Sequence, residues 1–453
     1  MARVKKTEAA LTSAERLQIV LVPDWEQPYK VPENWCWTRI GTINQYSGSS
    51  VDPAKYPEKL FELYSVPSSA NNYPEIVSGA AIGSAKQTVQ KNDVLLCKIN
   101  PRINRVWKVS GYTDAALLAS SEWIVVRNSQ INADYLMYCF QSWYFREFML
   151  SNVSGVGGSL MRAQSKHVQT YPIPLPPLPE QQRIVDRIES LFAKLDEAKE
   201  TAQTVLDSFE TRKAAILHKA FTGELTAKWR AEHGVGMDSW KQTSVDSLCS
   251  SLKYGTAKKS QPKGSVVVIR MGNLQHGEID WSDLAYSDND EDIKKYRLTS
   301  GDVLFNRTNS PALVGKTSIY RGEYPAIYAG YLIKLDYDRS RIVGDYLNYA
   351  LNTTTAKEYC NAVKTDGVNQ SNINAKKIGA YKFSVPTLEE QMEIVRILGS
   401  LFAQEQQAKG AAEAVLEQIG LMKKSILARA FRGELGTNDP SEESAVELLK
   451  RII

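Results

Sequence analysis

The sequence predicts an α+β protein: two mixed α/β globular domains separated by two long antiparallel coiled-coil helices, with a pseudo-twofold internal repeat. Three observations predict it. The stretch Glu180 to Leu225 recurs at Glu390 to Leu435 with a constant offset of 210, no gap, and about half the aligned positions identical. Each copy carries apolar residues at helical spacing, and the intervals before each copy read as short strands and turns.

The helices come first because they frame the rest. In the first copy Ile184, Ile188, Leu191, Leu195, Ala198, Ala202, Val205 and Phe209 step by alternating fours and threes to Ile216, with Arg212 the one polar position. The second copy repeats this seam from Ile394, Leu398 and Leu401 through Ala408, Ala412, Val415, Ile419 and Met422 to Ile426, and Glu405 is its polar break. Such a heptad seam asks for a partner helix. Two like seams in one chain most economically face each other, antiparallel, because a globular segment must fill the interval between them. At 1.5 Å per residue each helix would run for roughly 60 Å. Prolines at 172, 174, 176, 177 and 179, and Pro386 in the second copy, forbid helix upstream; Gly223 and Gly433 suit the left-handed residue that ends one.

A second apolar stripe lies beside each seam: Phe192, Leu217 and Phe221 in the first copy, Phe402, Leu427 and Phe431 in the second. Apolar surface in excess of what one partner helix covers predicts a docking site for another protein, present twice. The competing expectation is that the stripe packs beneath the chain's own globules.

The first 30 residues hold a short amphipathic segment (Leu11, Leu17, Ile19, Val20, Leu21) stopped by Pro23, expected to pack on another part of the chain. From Trp35 to Leu175, runs such as Val94-Leu95-Leu96 and Trp123 to Val126 sit between turn residues, with one helix expected around Ala133 to Leu150. Ala231 to Ser239 reads as a loop, and strand periodicity returns from Trp240 to Val385. The globules correspond too: Trp35 with Trp240, Asp93-Val94-Leu95 with Asp302-Val303-Leu304, and Asp134-Tyr135-Leu136 with Asp345-Tyr346-Leu347. A short amphipathic helix (Val446, Leu448, Leu449, Ile452) is expected in the tail.

Composition narrows the function. The chain has 453 residues, 23% charged and 43% hydrophobic, and a net charge of +4, which permits a nucleic-acid partner without demanding one. Five scattered cysteines (Cys36, Cys97, Cys139, Cys249, Cys360) form no metal-type pair and read as reduced thiols of a cytoplasmic protein. No stretch reads as a signal peptide or a membrane span. Ser310 to Thr317 approaches a phosphate-binding loop, but Ser310 replaces its first glycine and Pro311 removes a backbone donor. The glycines from Gly155 to Gly158 lack dinucleotide spacing, and His167, His218, His233 and His276 are isolated. No catalytic residue, metal ligand or bound cofactor is expected.

What remains is side-chain chemistry suited to double-stranded DNA. Asn306, Arg307, Thr308, Asn309 and Ser310 follow an apolar strand, and Lys316 comes soon after. The corresponding stretch of the first half offers Lys98, Asn100, Arg102, Asn104 and Arg105. Arg and Asn can pair with guanine and adenine edges, while Lys, Ser and Thr hold phosphates. The two stretches differ, so if both read bases they are expected to read different ones. Lys253, Tyr254, Lys258 and Lys259 form a basic loop, and Arg162 with Gln164, and Asn369, Gln370 with Asn372, lie in a second pair of matching polar loops.

Taken together, the Pro174–Val185 stretch, the Leu191-Phe192-Ala193 and Ala220 to Leu225 elements, the Gly301–Ser310 strand and the half-repeat resemble the specificity subunit of Type I restriction-modification systems. The resemblance covers nearly the whole chain; only the leader before Val31 is longer than a minimal member needs. It implies an arm (1–30), a target recognition domain (31–178), a spacer helix (179–230), a second recognition domain (231–387), a second spacer helix (388–436) and a tail helix (437–453). It implies that each recognition domain reads half of a split target and that the helices dock two adenine-N6 methyltransferase subunits. Restriction and translocase subunits would join through these, and S-adenosylmethionine would bind the methyltransferase rather than this chain. A coiled-coil scaffold whose globules bind protein or carbohydrate is the alternative, and an enzyme with an unrecognised site a third.

Overall fold

The computed structural model describes residues 13–155, 161–368 and 370–453. Its compact units do not follow the chain in blocks: one comprises Met1–Thr201 with Ala414–Ile453, the other Ala202–Glu413. Each unit therefore holds one globule, the first part of one long helix and the last part of the other. The α+β class expected from the sequence is observed, with strand-rich globules and long helices.

In the first unit a five-stranded sheet runs in the order Ser50–Val51, Lys86–Thr88, Ala116–Ala119, Leu60–Tyr64, Glu75–Ser78, with the pair Leu60–Tyr64 and Ala116–Ala119 parallel. A second sheet places Val94–Cys97 between Val106–Lys108 and Trp123–Val126. Val94–Cys97 and Trp123–Val126 are buried on both faces, which explains their unbroken apolar runs. The proline run is a strand as well as a helix stop. Pro172–Leu175 pairs with Cys36–Arg39 alone, an edge position where a missing N–H costs no ladder bond.

In the second unit the sheet order is Cys249–Tyr254, Leu332–Tyr337, Val303–Asn306, Thr317–Ile319, all antiparallel. Lys241–Ser244 pairs with Lys382–Val385, the counterpart of the proline-rich pair.

Helix and globule are joined by the same device in both units. Glu180-Gln181 and Glu390-Gln391 have no exposed surface. The Trp35 indole donates to Glu180 at 2.8 Å, and the Trp240 indole to Glu390 at 3.0 Å. The Gln181 amide donates to Pro176 O at 3.0 Å and accepts from Asn132 N at 2.9 Å; Gln391 donates to Pro386 O at 2.9 Å and accepts from Val343 N at 2.9 Å. Buried polar groups must be satisfied, so the helix can start in one place and one orientation only.

The locks differ in charge. Glu390 is neutralised by Arg230 at 2.7 Å, which a helix over Ala227–His233 brings to it, where the sequence read a loop from Ala231. Among the described residues Glu180 has no such ion pair, and Arg183 is paired with Glu442 at 2.8 Å. Burial pushes the Glu180 carboxyl up, against hydrogen bonds from Trp35 and Thr437 that lower it.

The helix segments run antiparallel within each unit. In the first, Arg183 reaches Thr437 O at 2.9 Å, and further along Asp196 pairs with Lys423 at 2.6 Å. In the second, Phe209 lies beneath Lys409 and the two polar breaks of the seams, Arg212 and Glu405, pair with each other at 2.8 Å. Their repeat counterparts are Met422 and Leu195, so an ion pair in one unit stands where the other has two apolar residues.

Two expectations are corrected. The first long helix is interrupted, running Leu178–Asp207 and then Phe209–Phe221, whereas the second is continuous over Leu388–Ala430. Ser208 Oγ donates to Thr204 O at 2.8 Å and to Val205 O at 3.1 Å, and Arg212 also donates to Val205 O at 3.3 Å, so side chains take up carbonyls of the helical ladder. The second copy has Gln418 and Met422 there. Likewise the helix expected over Ala133–Leu150 is two, Ala133–Gln141 and Trp143–Ser151, because Ser142 adopts an extended conformation and caps the second through Phe145 N at 3.3 Å.

The arm and tail both belong to the first unit. Leu17, Val20 and Leu21 pack on its core, and Val22 N donates to Trp37 O at 2.9 Å; Leu11 lies outside the described residues. The tail helix Ala445–Ile452 buries Ala445, Leu448 and Leu449. Gly223 and Gly433 are left-handed, with φ of 82° and 74°, as their place after the helices requires.

Two outcomes follow for stability. Replacing Arg212→Met or Glu405→Leu alone strands one charge and lowers the unfolding midpoint, by roughly 1–3 kcal/mol of stability, while the double variant recovers most of it; thermal melts of the three variants check this. For Glu180 the raised folded-state value means that its contribution is fully present below the ordinary glutamate value of about 4.3 and is lost as pH rises through the folded value. Wild type is therefore expected to gain on the Glu180→Gln variant in melts as pH is lowered from 7 towards about 4.

Candidate nucleic-acid interface

In the second unit a short antiparallel ribbon gathers much of the predicted polar chemistry. Thr308-Asn309 pairs with Ser371-Asn372, which pairs on its other side with Thr365-Asp366. The Asn372 side chain donates to Thr308 Oγ1 at 2.8 Å and accepts from Arg307 at 3.2 Å. The Arg307 guanidinium lies over the Tyr254 ring, 4.7 Å from its centroid, and its Nε is buried without a hydrogen-bond partner among the described residues. Tyr254 is fixed in turn, its hydroxyl accepting from Ala375 N at 2.9 Å. A guanidinium held over a ring and steered by an amide is oriented before any ligand arrives, which suits bidentate recognition of a base edge or a phosphate.

The first unit builds the same ladder with other side chains. Ile99 bridges to Arg162 as Thr308 does to Asn372, and Ala163 N donates to Lys98 O at 2.8 Å as Ile373 N does to Arg307 O at 2.8 Å. Arg162 is paired with Glu122 at 3.3 Å, and Lys98 N donates to Glu122 O at 3.0 Å. Asn100 and Asn104 take positive φ of 49° and 51°, bending Arg102 outward into an exposed turn. Asn104 also donates to Phe140 O at 3.2 Å, and Arg105 O accepts from Cys97 N at 3.0 Å. Gln164 is exposed, as is Gln370, whose carbonyl accepts from Gly367 N at 2.7 Å; Asn369 lies outside the described residues.

Several predicted contacts have other work. Asn306 is fully buried and its side chain accepts from Thr308 N at 3.2 Å, so it shapes the ribbon from beneath. Asn309 accepts from Ser310 N at 2.8 Å, a turn contact. Lys253 pairs with Asp336 at 2.7 Å. Burial would raise the Asp336 carboxyl, but hydrogen bonds from Lys253, Lys334 and Ser251 outweigh it and hold it at about 2. Lys258 donates to Asn289 at 2.9 Å and sits 3.7 Å from Glu291 and Asp292, while Lys259 is exposed. Lys316 points away from the ribbon's own contacts and donates to Gln275 at 2.9 Å. Sequence reading missed the carboxylates Glu122 and Asp366, whose acceptor role at the ribbons only the pairing reveals.

Half of the apolar stripe is corrected: Leu217, Leu427 and Phe431 are 4%, 7% and 1% exposed and belong to the cores of their own units, whereas Phe192, Phe221 and Phe402 are half-buried. Phe431 packs edge-on to Tyr135 at 5.4 Å and Phe221 against Tyr346 at 4.9 Å; Phe192 and Phe402 meet Tyr138 and Tyr349 at 6.0 and 5.6 Å. The stripe is where each helix seats its globule, and burial of such side chains is worth about 1.5–3 kcal/mol each. Exposed large apolar residues on the long helices are Leu178, Met392, Val415, Leu421 and Met422.

Among the described residues no group of three or more His, Cys, Asp or Glu is placed to hold a metal ion, and no helix is long and apolar enough to cross a membrane.

A family model described as the Type I restriction modification DNA specificity domain matches residues 34–206 and 237–418. The StySPI specificity subunit of Salmonella potsdam is 26% identical over 335 residues, covering 71% of each chain. The EcoKI specificity subunit of Escherichia coli K12 is 28% identical over 297 residues, 62% of this chain; the chain spans 63% of that relative's length. The fold is similar to a chain from a structure of a Type I restriction-modification system, with a TM-score of 0.73 and 20% identity over 90% of this chain and 100% of that one. It is also similar to the HsdS subunit from Thermoanaerobacter tengcongensis, with a TM-score of 0.61 and 21% identity over 90% and 99%. The two matched segments coincide with the two halves of the repeat, each with its Trp–Glu lock and ribbon, and the chain belongs to the Type I restriction modification DNA specificity family.

Proposed function

We propose that this chain is the non-catalytic DNA reader of a cytoplasmic Type I restriction-modification complex, each globule recognising one half of a split, asymmetric target. The carrying observation is the equivalent backbone ladder with unlike side chains: Lys98, Ile99 and Arg162 in one unit, Arg307, Thr308 and Asn372 in the other. One scaffold presenting two donor sets reads two different sequences. The preset Arg307 is the strongest candidate for a base contact, and exposed Arg102 and Lys259 for phosphate contacts.

In this reading two adenine-N6 methyltransferase subunits assemble on the helices, and the restriction subunits join through them. S-adenosylmethionine belongs to the methyltransferase, which flips the adenine into its own site. The burial of the off-seam stripe moves the docking proposal to exposed helical residues, Leu421 and Met422 foremost.

Methylation by the complex is expected to lose discrimination in one half of the motif when Arg307→Ala is introduced and in the other half with Lys98→Ala, at about 1–3 kcal/mol of DNA binding for a base-reading arginine; an unchanged motif in both variants overturns the ribbon assignment. Binding should weaken steeply with added salt, and salt-insensitive binding would favour a scaffold instead. Leu421→Ser combined with Met422→Ser is expected to weaken co-purification with the methyltransferase while leaving the melting midpoint within a few degrees.

A further inference from the structure

The second unit contains a cavity of 640 Å³ that none of the recognition chemistry uses. That volume lies within the roughly 300–1,000 Å³ usual for small-molecule sites. Three lysines line it, Lys213, Lys316 and Lys357, together with the rings of Phe209, Tyr349 and Phe402. Lys213 donates to the His276 carbonyl at 3.5 Å and Lys316 to the Gln275 side chain at 2.9 Å, both uncharged acceptors. Of the carboxylates that line it, Glu278 is held by Arg321 at 2.7 Å, which leaves Glu210 as the local counterweight.

The repeat supplies a control. Lys213 corresponds to Lys423, and each ammonium lies over the equivalent phenylalanine: Lys213 over Phe402 at 5.4 Å, Lys423 over Phe192 at 4.9 Å. Lys423 is neutralised by Asp196 at 2.6 Å. The position equivalent to Asp196 is Gln406, which lines the cavity. The second unit has kept the cation and replaced its acid with an amide. Burial lowers Lys213 and Lys316; Lys357 lowers both further, while Glu210 and Glu278 offset only part of this at Lys213, so an anion placed among the lysines would relieve a standing electrostatic cost.

We propose that this cavity binds a phosphate-bearing ligand of nucleotide size, its phosphates taken by Lys213, Lys316 and Lys357 and its ring by the apolar wall of Phe209 and Phe402. A single carboxylate would leave two of the three cations unmatched and a single phosphate, at about −2, would leave one, whereas a diphosphate brings charge enough for all. The turn Ser310–Gly315 contributes no cradle, because Val314 N and Gly315 N are spent on Ser310 O and Asn306 O at 3.1 and 2.9 Å. The lysines carry the site.

The test is calorimetric titration of the purified full chain with inorganic pyrophosphate, AMP and ADP. Saturable one-to-one binding of ADP is expected. Gln406→Asp, which restores the acid found in the other repeat at an exposed position, should weaken that binding roughly ten- to a hundredfold with no loss in melting midpoint. Lys357→Gln should weaken it similarly, and Asp196→Asn should leave it unchanged. Absence of binding by all three probes, or equal binding by wild type and Gln406→Asp, overturns the proposal. So does a fall in duplex DNA affinity in Gln406→Asp without binding of any probe, which would assign the lysines to the DNA backbone. None of these results bears on the Arg307 and Lys98 ribbons, so the site and the reader fail separately.

Discussion

A buried glutamate beside a buried glutamine, at the first turn of each long helix, is the constraint on which the rest depends. The carboxylate takes a tryptophan indole from the residue just before a strand of the globule, and the amide bridges the proline just before the helix to the start of the globule's own helical segment. Four groups without exposed surface leave no slack. The ring contacts of Phe192 and Phe402 then extend the seat along the helix. Helix and globule thus form one body in each unit, and the ribbon that presents Arg307 or Lys98 is carried on it.

The two units are alike in this frame and unlike wherever charge is exposed or unpaired. Arg230 forms an ion pair with Glu390, while Glu180 is met by the Trp35 indole and the Thr437 hydroxyl. An ion pair, Arg212–Glu405, answers Leu195 and Met422, and Lys423 has an acid where Lys213 has an amide. A duplicated chain that keeps its backbone contacts and varies its side chains can diverge in what it binds without losing the fold. That is the property expected of a molecule with two readers, and the polar pairs also give the helices a register that a uniform apolar seam would specify less strongly.

Much of the frame was legible in the sequence because it rests on local regularities. The 210-residue offset, the heptad steps, the prolines before each helix and Gly223 and Gly433 after it each have one simple structural meaning. The apolar stripe left two expectations open because periodicity shows that Phe431 faces something apolar, not whether that is another protein or its own Tyr135. The break at Ser208 needed knowledge of where Arg212 points. That Lys253 and Lys316 have partners within the chain could not be read from sequence, because Asp336 and Gln275 lie far off along it. The ribbon residues Arg307, Thr308 and Asn372 were identified singly, but their union across a strand pair belongs to the fold.

The central claim is that one chain holds two dissimilar readers on equivalent frames. Sequencing the methylated sites of a host that carries this chain with its methyltransferase tests it most directly. A motif of two unlike specified segments separated by unspecified bases is the predicted result. A single continuous motif, or two identical inverted halves, would contradict it.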